Sequence, residues 1–160
     1  MFSIFIIIFV GVFLVILFYE GYKDIKVSNT PIRDLPVHYT VLSDTILCWC
    51  GENLGKRKKQ PRIELRYYQS KKYCGKYLGD TATIVVYTKS NISLEQVVNT
   101  VIHEYCHHLQ FEKPQSQKVY DKLLMDIGYL NHPMEIEARD VASKNTMKCI
   151  NTISKKMNWV

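Results

Sequence analysis

The pattern of hydrophobic and polar positions divides this 160-residue chain into an apolar N-terminal stretch and a mixed remainder. Residues 2–19 are 18 positions without a charged side chain, and a helix of that length rises about 27 Å, roughly the thickness of a bilayer core. A cleaved signal peptide would need a positive start and an Ala-x-Ala-like site, and the sequence has neither around this stretch. We therefore predict a retained transmembrane anchor over residues 1–20, a linker over 21–37 and one domain over 38–160.

The first part of that domain carries the signals of a helix followed by strands. Ser43 and Asp44 are candidate N-caps of a short helix that would stop at Gly55. The segments 62–68 and 81–88 are rich in β-branched and aromatic residues and are separated by glycine-containing turns. They predict two or three strands of a small sheet.

Helical periodicity governs the C-terminal half of the chain. Ser93 and Gln96 form a capping-box pattern at the start of one helix, and Pro114 marks its expected end. A second helix is expected to stop near Gly128, and a third to begin with Pro133 in its first turn, where the missing N–H costs nothing. A helix, a few strands and then three helices predict an α+β domain.

The net charge of +6 is concentrated in one segment. Residues 56–76 hold nine Lys or Arg against the single acid Glu64, a local balance of +8, so the other residues sum to −2. This segment is either a patch for anionic lipid or nucleic acid, or a solvated loop followed by a strand with outward-pointing charges. Both interpretations stay open, and nucleic acid is the least favoured partner.

The stretch VIHEYCHHLQ, residues 101–110, contains an HExxH motif. His103 and His107 are four positions apart, so on a helix they project about 40° from each other and can reach one metal ion. Glu104 is turned away from the metal but is near enough to reach a water molecule there. Five apolar residues form a stripe on the opposite side of the helix: Val98, Val101, Ile102, Tyr105 and Leu109.

A catalytic zinc ion needs a third protein ligand and one open position. Glu135 and Glu137 lie on the last predicted helix, and helix geometry alone does not choose between them. Ala138 and Ala142 on the same helix are small enough to let it press closely against the HExxH helix.

The pair VIHEYCHHLQ and PMEIEARDVA resembles the gluzincin-type zinc metallopeptidases, particularly the compact ImmA/IrrE-like domains. The resemblance implies a small zincin-like domain in which the glutamate of a Glu-Ala step is the third zinc ligand. That residue is Glu137, with Glu135 as the fallback. It also implies that an edge strand before the HExxH helix receives the substrate in extended form. SprT-like proteases share HExxH but use a third histidine, a role for which His132 would be the candidate.

These features together predict a membrane-anchored zinc endopeptidase acting on protein or peptide substrates. Zn²⁺ would be held by His103, His107 and Glu137, and Glu104 would be the general base. Tyr129 and His132 are candidates by position for stabilising the oxyanion, and Asp140 for orienting a ligand.

The side of the membrane and two other functions complete the sequence-based expectations. Lys23, Lys26 and Arg33 follow the apolar stretch and no basic residue precedes it, so the positive-inside rule places the domain on the cytoplasmic side. Five cysteines without a framework spacing suit a reducing compartment. The alternatives are a non-catalytic, metal-stabilised membrane protein, such as a viral or phage envelope component, and a basic module that binds anionic lipid or nucleic acid.

Overall fold

A computed structural model describes residues 26–67, 74–88, 92–112 and 114–159 of the chain. The predicted anchor over residues 1–20 lies outside these ranges. Within them, no helix combines the length and the apolar character that crossing a bilayer requires.

The described residues form an α+β domain, as the sequence predicts. Its elements, in chain order, are a 3-10 helix Ile32–Asp34, α1 Tyr39–Asn53, β1 Arg62–Arg66, β2 Gly75–Leu78, β3 Thr83–Tyr87, α2 Leu94–Gln110, α3 Pro114–Asn131 and α4 Pro133–Lys156.

The three strands form one mixed sheet in the order β1-β3-β2. β3 pairs in parallel with β1 and antiparallel with β2, and Ile84 at its centre is the partner of Ile63 on one side and Tyr77 on the other. Because side chains alternate across a strand, Ile84 and Val86 share one face, and both are fully buried in the core. β2 therefore lies at an edge of the sheet, beside the helix that carries the HExxH motif.

The HExxH helix, α2, is the centre of the core. Of its predicted apolar stripe, Val98, Val101, Ile102 and Tyr105 are fully buried, and Leu109 is partly buried against them. On the neighbouring α4, Ala138 and Ala142 are also buried.

α2 and α4 run antiparallel to each other. Asn99 bonds Thr146 towards one end of the pair, and Gln110 bonds Met134 at the other. This arrangement brings the last turns of α2 against the first turn of α4, which places the histidines of α2 next to the glutamates of α4.

Helix boundaries agree with the sequence-based expectations at most positions. The Ser93–Gln96 capping box is present, Pro133 occupies the first turn of α4, and Gly128 breaks the direction of α3 with a φ of 75°. The predicted caps of α1 are wrong. The helix begins at Tyr39, and the His38 side chain accepts the N–H of Thr40, because an imidazole nitrogen can cap a helix as a Ser or Asp oxygen does.

The segment predicted as a linker packs, from residue 26 onwards, against the domain. Ile32 is buried, its N–H donates to the carbonyl of Ile92 at 3.0 Å, and the N–H of Leu94 donates to the carbonyl of Thr30 at 2.9 Å. These bonds hold the segment at the N-terminal end of α2, the end opposite to the histidines.

Candidate metal centre

Three potential metal-binding side chains, His103, His107 and Glu135, converge between α2 and α4. The two Nε2 atoms lie 3.2 Å apart. Glu135 places Oε2 at 3.2 Å from Nε2 of His103 and Oε1 at 3.2 Å from Nε2 of His107. The helical spacing of the two histidines and the antiparallel approach of α4 produce this group.

The spacing of these donor atoms suits a tetrahedral metal ion. Zinc binds imidazole nitrogen and carboxylate oxygen at about 2.0–2.2 Å, which puts tetrahedral ligands roughly 3.3–3.4 Å apart. The donor separations here are 3.2 Å. Oε2 of Glu135 is buried and has no hydrogen-bond partner among the described residues, and a buried carboxylate oxygen is costly without one. The donor set therefore fits a small divalent cation.

The glutamate in this group is Glu135, whereas the resemblance selects Glu137. Two residues on a helix point about 200° apart, so only one of the pair can face α2 directly. The Glu135 side chain is 2 % exposed and lies between the imidazoles. The Glu137 carboxylate is exposed and accepts a bond from Nε2 of Gln110 at 2.9 Å. The fallback glutamate thus occupies the position expected of the third ligand.

Gln110 connects Glu137 to the histidines indirectly. Nε2 of Gln110 donates to the carbonyl of Met134 and to Glu137, so the amide oxygen Oε1 is left to accept from Nδ1 of His107 at 2.8 Å. The proton of neutral His107 is therefore on Nδ1, and Nε2 presents its lone pair to the cluster, as metal binding requires.

Asp140, predicted to orient a metal ligand, does not belong to the group of His103, His107 and Glu135. It pairs with Lys144 at 2.6 Å on the exposed side of α4. Gln110 takes the expected role for His107, and its spacing of three residues from His107 is the only sequence signal that could have indicated it.

The electrostatics of the cluster favour a charged carboxylate. Burial alone would raise the pKa of Glu135, but the imidazoles of His103 and His107 and the hydroxyl of Tyr120 outweigh it and hold the pKa well below its ordinary value. Burial alone would lower the pKa of His107, but the carboxylates of Glu135 and Glu104 raise it overall. The carboxylate and the imidazoles thus stabilise each other's charged forms.

Glu104, the predicted general base, is in a different environment. Its side chain is buried beside the histidines, and burial raises the pKa of the Glu104 carboxyl although the nearby imidazoles and the backbone of Tyr77 oppose the shift. β2 runs close to it: a Cβ on Gly75 would stand 3.2 Å from Cγ of Glu104 and 2.4 Å from Cγ2 of Thr100. A glycine at this position lets the edge strand lie directly against the HExxH helix.

Two tyrosines of α3 lie near the carboxylate of Glu135. The hydroxyl of Tyr120 donates to Oε1 of Glu135 at 2.5 Å. Burial and the nearby carboxylate of Glu135 raise the pKa of Tyr129 to about 12, although 45 % of this residue is exposed. Tyr129 is predicted by its position to lie at the site, whereas no motif in the sequence marks Tyr120.

His132 does not join the cluster. It is fully buried, its Nδ1 accepts the N–H of Met134 at 3.1 Å as the N-cap of α4, and its Nε2–H donates to the carbonyl of Tyr120 at 3.1 Å. Both nitrogens are therefore used within the fold, which leaves none for a metal ion or an oxyanion.

The basic segment is partly tied into the fold. Arg57 donates to the carbonyls of His108 and Glu112 at the C-terminal end of α2. Lys59 donates to the carbonyl of Asp80 at 3.3 Å. These bonds give part of the positive charge a structural role. Two lysines of the segment, at positions 71 and 72, lie outside the described residues.

No family model, curated protein or solved structure matches this chain. The resemblance to gluzincins therefore rests on the two motif segments alone.

Proposed function

We propose that this protein is a zinc-dependent endopeptidase, tethered to a membrane by residues 2–19, whose metal ligands are His103, His107 and Glu135 and whose general base is Glu104. The observation that carries the proposal is the convergence of two imidazoles and one carboxylate at 3.2 Å beside a second, buried carboxylate. Two nitrogen ligands, one oxygen ligand and an open position are typical of catalytic rather than structural zinc.

Zinc and Glu104 have different roles in the proposed peptide hydrolysis. Zinc, when bound, would supply Lewis-acid polarisation of the scissile carbonyl and a more acidic water. Glu104 accepts the proton of the attacking water and passes it to the leaving amine. Its raised pKa suits this role, because a carboxylate of higher pKa is a stronger base towards the attacking water.

The charge that develops on the substrate oxygen requires a hydrogen-bond donor as well. Of the two residues predicted by position, His132 has both nitrogens engaged in the fold. Tyr129 lies near Glu135 and is half-exposed, so its hydroxyl is accessible to a bound substrate. We assign the oxyanion contact to Tyr129.

The substrate is proposed to be an extended peptide lying along β2. This strand is at the edge of the sheet and passes against Glu104 at Gly75. An edge strand has unpaired backbone groups that can bind an extended chain, and here they would align that chain with the general base.

A purely structural metal site is the less favoured alternative. A buried carboxylate whose pKa is raised by burial destabilises the fold at neutral pH. Glu104 lies next to the cluster without being one of its three donor residues, so structural metal binding gives no reason to keep it there. Its presence favours a catalytic site.

Cleavage of a synthetic peptide mixture by the purified, zinc-loaded full chain tests the proposal, with products identified by mass spectrometry. We expect Glu104→Gln to keep its zinc and to lose about 10²–10⁴-fold in rate. Glu95→Gln, an exposed glutamate at the start of the same helix, is the matched control and should cleave as the wild type does. Zinc binding without wild-type cleavage, or cleavage that survives Glu104→Gln, would refute the assignment.

A further inference from the structure

Among the described hydrogen bonds, the one from Tyr120 to Glu135 is the only one that joins α3 to a candidate metal ligand. No side chain described in α3 is buried to the extent of the core residues. Tyr120 nevertheless reaches inwards, with its ring edge-on to His107 at 5.9 Å and to Phe111 at 5.4 Å. A loosely packed helix thus contributes one well-placed phenol to the site.

The backbone and the ring of Tyr120 are held by the same turn that carries Glu135. His132 donates to the Tyr120 carbonyl at 3.1 Å, and the two rings lie 4.3 Å apart. His132 in turn caps α4, which begins at Pro133, by accepting the N–H of Met134. The phenol donor and the carboxylate acceptor are therefore fixed relative to each other by one short segment, residues 132–135.

The two oxygens of Glu135 have different surroundings as a result. Oε1 accepts the Tyr120 hydroxyl at 2.5 Å and lies 3.2 Å from Nε2 of His107. Oε2 is buried, has no hydrogen-bond partner among the described residues, and lies 3.2 Å from Nε2 of His103. A carboxylate with one oxygen engaged by a strong donor has the other oxygen as its better metal ligand.

We propose that Tyr120 is a positioning residue that holds Glu135 so that Oε2 alone binds the metal ion. The inference rests on the metal site of the proposed function and adds a mode of binding to it. A glutamate that binds through both oxygens fills an extra coordination position. By occupying Oε1, the Tyr120 hydroxyl keeps that position free for water and substrate.

Cobalt(II) substitution of the full chain provides a readout that does not depend on catalysis. The visible bands of Co²⁺ weaken when its coordination number rises from four to five or six, so they report how Glu135 binds. We expect Tyr120→Phe to weaken these bands and to lower Co²⁺ affinity about 10–100-fold, the usual effect of losing a partner of a metal ligand. Because Phe keeps the ring contacts, thermal unfolding of the metal-free variant should stay close to that of the wild type.

Gln117→Ala is the matched control, since this exposed residue of the same helix bonds Asp121 rather than a candidate metal ligand and should leave the cobalt spectrum unchanged. A wild-type spectrum in Tyr120→Phe, or an equal change in both variants, would overturn the positioning role while leaving the metal site intact. If the wild-type chain binds no Co²⁺, the proposed function itself fails, which is a different outcome.

Discussion

Replacing Gly75 by alanine should disturb the contact between the edge strand and the HExxH helix. The new Cβ would stand 2.4 Å from Cγ2 of Thr100, 3.0 Å from the carbonyl oxygen of Val85 and 3.2 Å from Cγ of Glu104. Ordinary carbon contacts lie at about 3.5–4.0 Å, so β2 and α2 must separate by roughly 1 Å. Overpacking of this kind costs about 1–3 kcal/mol, which for a chain of this length lowers Tm by roughly 2–12 °C.

The same substitution should affect catalysis more than metal binding. A shift of about 1 Å in a catalytic group can cost about 100-fold in rate, whereas the three atoms nearest to the new Cβ belong to none of the candidate metal ligands. Peptide cleavage and zinc content of Gly75→Ala should therefore diverge. Gly79→Ala is the matched control, because its Cβ would meet only Tyr77, at an ordinary 3.9 Å.

A double-mutant cycle identifies the cause of the loss. Thr100→Ser removes Cγ2 and keeps the hydroxyl that donates to the carbonyl of Gln96 at 2.8 Å. Adding it to Gly75→Ala should recover part of the stability, with a coupling free energy of about 1 kcal/mol or more. Simple additivity of the two changes in urea unfolding, or a Gly75→Ala variant as stable as Gly79→Ala, would refute the close approach.

Two further predictions concern stability. Glu104→Gln should stabilise the metal-free chain by about 1–3 kcal/mol at neutral pH. Because the pKa of Glu104 is raised in the folded protein, the gain measured by thermal unfolding should grow as the pH rises above the ordinary carboxyl pKa and disappear below it. A difference in stability that does not depend on pH would contradict this prediction. Arg57→Ala should destabilise the fold by about 1–3 kcal/mol, because the carbonyls of His108 and Glu112 lose their hydrogen-bond donor. The control Lys58→Ala, at an exposed position, should change the stability by no more than about 0.5 kcal/mol. Equal effects of the two substitutions in denaturant unfolding would show that the Arg57 bonds do not stabilise the fold.

Local patterns in the sequence are sufficient to predict most of the fold. The apolar stripe of α2 identifies the face that packs in the core, and the Ser93–Gln96 pair identifies where that helix starts, because both depend on residues within one helix. The start of α1 was mispredicted for a local reason as well, since a histidine cap leaves a weaker compositional signal than the Ser and Asp a turn later.

The candidate site depends on contacts that no local pattern contains. His103 and His107 lie side by side because they are one helical turn apart, and this spacing can be read from the sequence. The choice between Glu135 and Glu137 depends on how α4 is rotated against α2, and this rotation is set by tertiary packing of both helices. Tyr120 reaches the site from a third helix, so neither its spacing nor its residue type marks it in advance.

Zinc binding by the full chain, compared with Glu135→Gln and Glu137→Gln, tests the central claim most directly. Metal content after dialysis and competition with a chromogenic chelator give the stoichiometry and the affinity. We predict a single tightly bound zinc ion in the wild type and in Glu137→Gln, and loss of stoichiometric zinc in Glu135→Gln. Zinc retained by Glu135→Gln at wild-type affinity would contradict the metal centre proposed for this protein.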